Sequence, residues 1–204
     1  MITDILNWLE SATSSPWFYL VIFAIALLDS VIPAVPSETT MILGGIAAGQ
    51  GELIIALVIV LGALGAFAGD QLAYQLGLRA SDFLKRRLFS TEKGEERLAN
   101  ASKQIAKRGG PLLITARFIP GGRTAMTCSC GITQQPLGWF IKWDIIAAIL
   151  WASYAGGLGF IFGERFEDDH TTAFYLAFGA ALGITALIEI VRWVLERRKA
   201  PAAS

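Results

Sequence analysis

Apolar positions in this chain run in long blocks, without the strict alternation of a half-buried strand or the narrow stripe of a soluble amphipathic helix. Crossing ~30 Å of hydrocarbon takes about 20 residues in a helix. Four blocks reach that range and read as membrane spans: 16–32, 53–78, 137–163 and 171–195. Two shorter blocks are bounded by helix breakers. The first, 39–48, follows Pro33-Ala-Val-Pro36-Ser-Glu38 and ends at Gly49-Gln-Gly51. The second, 111–131, is interrupted at Pro120-Gly121-Gly122 and bounded by Gly131 and Pro136. Proline ends a helix at or before the preceding residue, so each short block reads as a re-entrant half-helix.

The polar segments complete the outline. Residues 1–15 read as a short interfacial helix with Ile2, Ile5, Leu6 and Leu9 on one side. Residues 79–108 form a basic connector with a local apolar set at Phe83, Leu84, Leu88 and Phe89, expected to fold as one or two surface amphipathic helices. Residues 16–78 carry the first span, the first re-entrant segment and the second span. Residues 109–163 repeat that order, and 164–204 hold the last span and a basic tail. The expected fold is therefore a single all-α polytopic membrane domain of about four transmembrane helices and two opposed re-entrant half-helices in an inverted repeat. Such repeats, with broken helices meeting near the midplane, are a transporter architecture.

Composition agrees. Apolar residues make up 54% and charged residues 17%, against about 25% charged in a typical soluble domain. Mean hydropathy is +0.53. The net charge is zero, with 17 basic and 17 acidic residues, but the basic ones cluster. Nine lie between Arg79 and Arg108, and four more (Arg192, Arg197, Arg198, Lys199) lie near the C-terminus. By the positive-inside rule both clusters face the cytoplasm, which places both termini there in a multi-pass cell-membrane protein. Nucleic acid is not an expected partner, and no cleavable leader is expected.

The same clustering isolates a few charges within apolar sequence. Between Gly109 and Ile141, Arg117 and Arg123 are the only charged residues. An arginine at the centre of a bilayer costs about 2.5–3.5 kcal/mol on the insertion scale, so such residues tend to mark function. Six residues apart, they would point roughly 240° away from each other on a continuous helix. The Pro120-Gly121-Gly122 break removes that constraint and allows both to aim at one point. A half-helix starting near Gly122 presents free N–H groups and a partial positive charge, a setting for an anion, and phosphate suits the guanidinium fork. The alternative is that these arginines pair with Asp29, Glu38 or Asp70 as structural glue, and both roles can coexist.

The acids divide by position. Glu38 follows Pro36-Ser37 at a half-helix start, where Ser37 can cap and an acid is favoured by the dipole. Asp29 lies nine residues earlier and can share its cavity. A carboxylate held among apolar groups takes up a proton more readily than in water, so both are candidate proton carriers. Asp70 follows a seventeen-residue uncharged run and reads as structural support, together with Pro36, Pro120, Gly121 and Gly122. Thr124 is a candidate phosphate ligand beside Arg123. Lys142 and Asp144, flanked by Trp139 and Trp143, are expected near the membrane surface. Cys128 and Cys130 read as small packing residues, neither a disulfide framework nor a metal site.

No catalytic residue is expected. The one histidine, His170, falls in the predicted outer loop, whereas membrane phosphatases and zinc proteases need positioned histidines. No phosphate-cradling glycine loop of the ATPase type is present, and no metal or cofactor is expected.

Three segments together resemble the DedA family of bacterial membrane proteins, also described as VTT-domain proteins. They are Asp29 through Pro36-Ser37-Glu38 to Gly44-Gly45; Gly69-Asp70 through Tyr74 and Gly77; and Arg117-Phe-Ile-Pro-Gly-Gly-Arg123-Thr124 to Cys130-Gly131-Ile132. The resemblance covers about residues 20–165. It implies two opposed re-entrant helices, functional acids at Asp29 and Glu38, and functional arginines at Arg117 and Arg123. It also implies movement of an anionic lipid, undecaprenyl phosphate above all, across the bilayer, with links to proton-motive force and envelope upkeep. The chain departs from the family pattern at Asp29-Ser30 (often Glu-Asn), at Ser37 (often Gly) and at Cys130 (usually a small alanine). The expected function is thus a proton-coupled lipid-phosphate flippase. A non-selective phospholipid scramblase and a non-transporting membrane scaffold are the alternatives. A homo-oligomer in the bilayer is compatible with each.

Overall fold

The computed structural model describes residues 15–32, 35–88, 109–118, 121–166 and 172–183, with single residues between 96 and 107. The helices are α1 (Phe18–Val31), α2 (Ser37–Gly49), α3 (Ile55–Leu88), α4 (Gly110–Ala116), α5 (Gly122–Ile132), α6 (Leu137–Arg165) and α7 (Thr172–Gly183). No strand occurs among the described residues. The interfacial helix expected at 1–15, Pro120, His170 and the second half of the last span lie outside them. Two stretches, Ile55–Ser81 and Leu137–Arg165, are long and apolar enough to cross a membrane.

Glycine contacts show how the helices run. Along the α1–α3 seam, Ile22 lies by Gly62, the Phe23 carbonyl by Gly65 and the Leu27 carbonyl by Gly69, so α1 and α3 are parallel. Helix α2 runs back between them, with Met41 against Gly62 and Gly44 against Val58. The Ile54 N–H donates to the Tyr19 hydroxyl at 2.7 Å, which ties the starts of α1 and α3 to the same end of the molecule. Helices α1 and α2 therefore form a hairpin whose tip is the 32–36 break.

This differs from the expected arrangement, in which 16–32 crosses alone and only the following block re-enters. At 14 residues, α1 is about 21 Å long, short of the hydrocarbon thickness, and it returns through α2. The first described residue, Ser15, consequently lies at the end of α3 opposite Arg79. A second difference is that α3 continues as one helix to Leu88 instead of ending at 78. The connector beyond is anchored at buried Ile105, which packs with Tyr74, Leu113 and Phe140.

The second half repeats the plan upside down. Tyr74 of α3 stacks on Phe140 of α6 with centroids 4.6 Å apart, while Gly156 faces Ile55 and Ile59, so α3 and α6 are antiparallel. Gly110 of α4 packs on Trp143, and Phe118 beyond α4 meets Tyr154 edge-on at 5.7 Å, so α4 runs with α6. Helix α5 turns back beside α3. Each returning helix thus lies against the long helix of the other half. In one crossing the Ile46 carbonyl abuts Gly163 and Gly49 abuts Phe160 and Glu164. In the other the Cys128 carbonyl abuts Gly77 and Gly131 abuts Tyr74 and Leu78. The spacing is three residues on every helix, and a Cβ at either Gly49 or Gly131 would stand 2.7 Å from the facing backbone nitrogen. Close approach through small residues is how apolar helices gain packing without a hydrophobic driving force. Helix α7 folds back along α6, its Ala181 carbonyl accepting from the Tyr154 hydroxyl at 2.9 Å.

These crossings predict opposite effects at chemically identical substitutions. A Cβ on Gly45 or Gly131 would meet backbone of the facing helix, whereas one on Gly157 meets nothing within 4 Å. Gly45→Ala and Gly131→Ala should each destabilise by about 1–3 kcal/mol through overpacking. Gly157→Ala should be neutral or stabilising by up to about 1 kcal/mol from helix propensity. Thermal unfolding of the purified protein in detergent measures the difference.

Candidate functional site

The two hairpins enter from opposite ends, and their tips meet beside the middle of α3 and α6. Asp70, fifteen residues past Ile55, lies about 22 Å along α3, and none of its surface is exposed. Its neighbour Gly69 places it: a Cβ there would clash with the Leu27 carbonyl and stand 2.6 Å from Ser30 Cβ. Glycine at 69 lets α1 close on α3, and the next position carries the acid toward α5.

Arg117 and Arg123, on either side of the second break, both turn onto Asp70. Arg117 Nη2 donates to Asp70 Oδ2, and Arg123 Nε donates to Asp70 Oδ1 at 2.9 Å. Gly121 makes this convergence possible. It sits before α5 with φ +70, in the left-handed region that glycine enters without a Cβ penalty. The six-residue separation that would splay two arginines on one helix is folded back on itself.

Arg123 is cradled further by α1 and α3. Its Nη2 donates to Ser30 Oγ and to the Ala66 carbonyl at 2.9 Å, and its Nη1 to Asp29 Oδ2 at 3.3 Å. Its guanidinium carbon lies 5.7 Å from the centroid of the Trp151 ring, within cation–π range. Asp29 is oriented by Ser37, whose hydroxyl donates to Oδ2 at 2.6 Å. This hydrogen bond clamps α1 to the start of α2 across the first break. Ser37 is thus tied to the acid and makes no side-chain cap on α2.

Asp144 corrects a sequence expectation. It is only 2% exposed and accepts from Arg117 Nη2 at 2.7 Å, whereas Lys142 is exposed. The cause is the face of α6 it occupies. Phe140, Asp144, Ala148, Trp151 and Ala155 form one buried stripe at helical spacing, and Lys142 lies off it. That 3.6-residue stripe was a readable signal; the flanking tryptophans pointed to the surface instead.

Not every candidate joins the cluster. Glu38 is exposed at the start of α2. It enters none of the ion pairs among the described residues. Thr124 is half-buried, and the hydrogen bonds of the cluster do not include it. Pro36 lies immediately before α2, and Gly122 opens α5.

The ion pairs differ in kind. Those of Arg117 with Asp70 and Asp144 have side chains at most 3% exposed, while Arg123–Asp29 is the longest and joins side chains 9% and 20% exposed. Arg117 Nη1, also buried, has no hydrogen-bond partner. Fixed pairs and one loose pair therefore share a single linked cluster. Removing one partner of a buried pair leaves an uncompensated charge, a loss of about 3–5 kcal/mol. Asp70→Ala should lower unfolding stability by that amount, or abolish folding. Asp29→Asn should cost about 1 kcal/mol, the scale of one hydrogen bond, because Arg123 keeps Asp70, Ser30 and the Ala66 carbonyl as partners. Denaturant or thermal unfolding in detergent separates the two.

The VTT domain family matches residues 35–161, a range that takes in both returning helices, both long helices and the arginines. The Escherichia coli protein named "Inner membrane protein YohD" is 32% identical over 79% of this chain and 83% of its own length. "Protein DedA" of Escherichia coli is 26% identical over 86% of this chain and 83% of its own. A Lactococcus lactis relative named "Alkaline phosphatase-like protein" is 24% identical over 88% and 87%. No solved structure matches. On the family match and the similarity to YohD, the chain belongs to the VTT-domain, or DedA, family of membrane proteins.

Proposed function

We propose that this protein carries the phosphate head of an anionic lipid across the cell membrane, with the hairpin tips as the exchange point. The family resemblance favours undecaprenyl phosphate as that lipid. The observation that carries the reading is the Arg123–Asp29 pair, the longest and least buried contact of an otherwise closed ionic cluster.

With the basic end of α3 facing the cytoplasm, the α4–α5 hairpin re-enters from inside and the α1–α2 hairpin from outside. Ser15 then lies at the outer end, not on the cytoplasmic side expected for the N-terminus, and α7 heads back inward. A phosphate arriving from either face reaches the same pair of tips. It displaces Asp29 and accepts from Arg123 Nη1 and from Arg117 Nη1, the buried donor without a partner. Paired guanidinium donors suit a phosphate's oxygens. Displaced Asp29 keeps its Ser37 hydrogen bond and takes up a proton, as a carboxylate losing its counter-charge in apolar surroundings does. Glu38, exposed at the start of α2, relays that proton toward the outer end. The lipid tail stays in hydrocarbon, so only the head needs a polar route.

Flipping of a fluorescent polyprenyl phosphate in vesicles holding purified protein tests this. Arg123→Lys keeps the charge and loses the fork, and should slow flipping by about 10–100-fold, as expected from losing charged hydrogen bonds worth roughly 1.5–3 kcal/mol. Collapsing the pH gradient should remove net accumulation. Undiminished flipping in Arg123→Lys overturns the assignment. Equal flipping of phospholipids without a gradient favours a scramblase. No flipping by the folded wild type favours a scaffold, and release of inorganic phosphate favours a hydrolase.

A further inference from the structure

We propose that Asp70 and Asp144 form a proton-binding site, in which Asp144 carries a proton and donates it in a hydrogen bond to the Asp70 carboxylate. The site lies below the hairpin tips and is separate from Asp29 and Glu38. It does not depend on what the protein transports.

Charge balance is the first ground. The linked cluster holds two cations, Arg117 and Arg123, and three acids, Asp29, Asp70 and Asp144. Fully ionised it carries one net negative charge in a region from which water is largely excluded. One proton brings the cluster to zero.

Geometry decides which acid holds it. Both oxygens of Asp70 accept from arginines, one from Arg117 and the other from Arg123. Asp29 accepts from both Ser37 and Arg123 and reaches partial solvent. Asp144 accepts from a single donor, Arg117 Nη2, which it shares with Asp70. Its other oxygen, Oδ2, is buried and has no hydrogen-bond donor, and the two carboxylates lie side by side because Asp70 Oδ2 and Asp144 Oδ1 accept from the same nitrogen. Two ionised carboxylates so placed have no hydrogen between them and repel. A proton on Asp144 removes that repulsion and turns one of its oxygens into a donor toward the neighbouring carboxylate. Carboxyl pairs that share one site hold a proton for this reason.

The surroundings supply no competing base. Asp144 shares the Arg117 donor with Asp70 of α3, and Arg123 lies on the other side of Asp70. The nearby Tyr74 stacks on Phe140 and donates its hydroxyl to the Gln135 carbonyl, and Cys130 of α5 is buried in the same region. On its own helix Lys142 is exposed and turned away.

Infrared spectroscopy of the full-length protein in lipid nanodiscs reads the proton directly. Near neutral pH the wild type should show a buried carboxylic-acid carbonyl band that shifts in deuterated water. Asp144→Asn should remove the band and fold with a Tm close to wild type, because a neutral amide replaces a neutral acid. Glu38→Gln, which leaves the charges of the linked cluster unchanged, should retain the band. The proposal is overturned if the band survives Asp144→Asn, if no band is present in the wild type, or if Asp144→Asn prevents folding, as it would if Arg117 relied on an ionised Asp144. None of these outcomes depends on lipid flipping, so this site and the transport reading fail separately.

Discussion

Asp70 is the constraint on which the rest of the molecule depends. A single fully buried carboxylate receives both arginines of the second hairpin, and through Arg123 it reaches the first. Each participant would be prohibitively placed alone. An arginine or an aspartate in hydrocarbon must find a partner or a proton, and here the partners come from five different segments of the chain. The cluster therefore reports on the whole fold: α1, α3, the end of α4, α5 and α6 must all be in position before every charge in it is paired. Breaking a helix within the bilayer frees backbone groups that need new partners, and the clamp from Ser37 to Asp29 and the cradle around Arg123 lie where the two breaks meet.

The internal symmetry explains why the breaks meet at all. Each half is a hairpin followed by a long helix, and each returning helix lies on the long helix of the other half. Equivalent glycine crossings, Ile46 and Gly49 on Gly163 and Phe160, Cys128 and Gly131 on Gly77 and Tyr74, set both hairpins at the same depth from opposite ends. The halves share packing but not charge. Acids stand around the first break and bases around the second, and this asymmetry draws the tips together. Two identical copies would repel at that point.

Much of this could be read from the chain. Block lengths and the Pro-Ser-Glu and Pro-Gly-Gly breaks located both returning helices to within two residues, since proline and glycine act locally. The convergence of Arg117 and Arg123 followed from the same break. Four features could not be read. That α1 returns instead of crossing depends on its contacts with α3, and a 17-residue apolar block looks the same in either case. That α3 continues past Arg79 reflects a helix with no breaker to stop it, whereas a change in polarity suggested an end. The role of Asp144 was obscured by the tryptophans beside it, although the stripe from Phe140 through Trp151 carried it inward. Partner choice was equally hidden: Glu38, the closer acid by motif, stays outside the ion pairs, while Asp70 takes the central place. Sequence shows which residues are expensive to bury, but not which of several acids will meet them.

A cluster this closed raises the question of how it could serve a moving ligand. Pairs buried on both sides exchange slowly, because separating them exposes two charges to a medium that solvates neither. In the proposed reading the opening begins at the longest pair, Arg123 and Asp29, while Arg117, Asp70 and Asp144 stay paired. A fixed acid–base core with one loose edge allows the tips to change partners without coming apart. The loose pair spans the junction of hairpins that enter from opposite ends. On this view the central ion pairs are the frame against which the exposed pair can open, and the two-fold packing of α2 on α6 and α5 on α3 keeps that frame rigid.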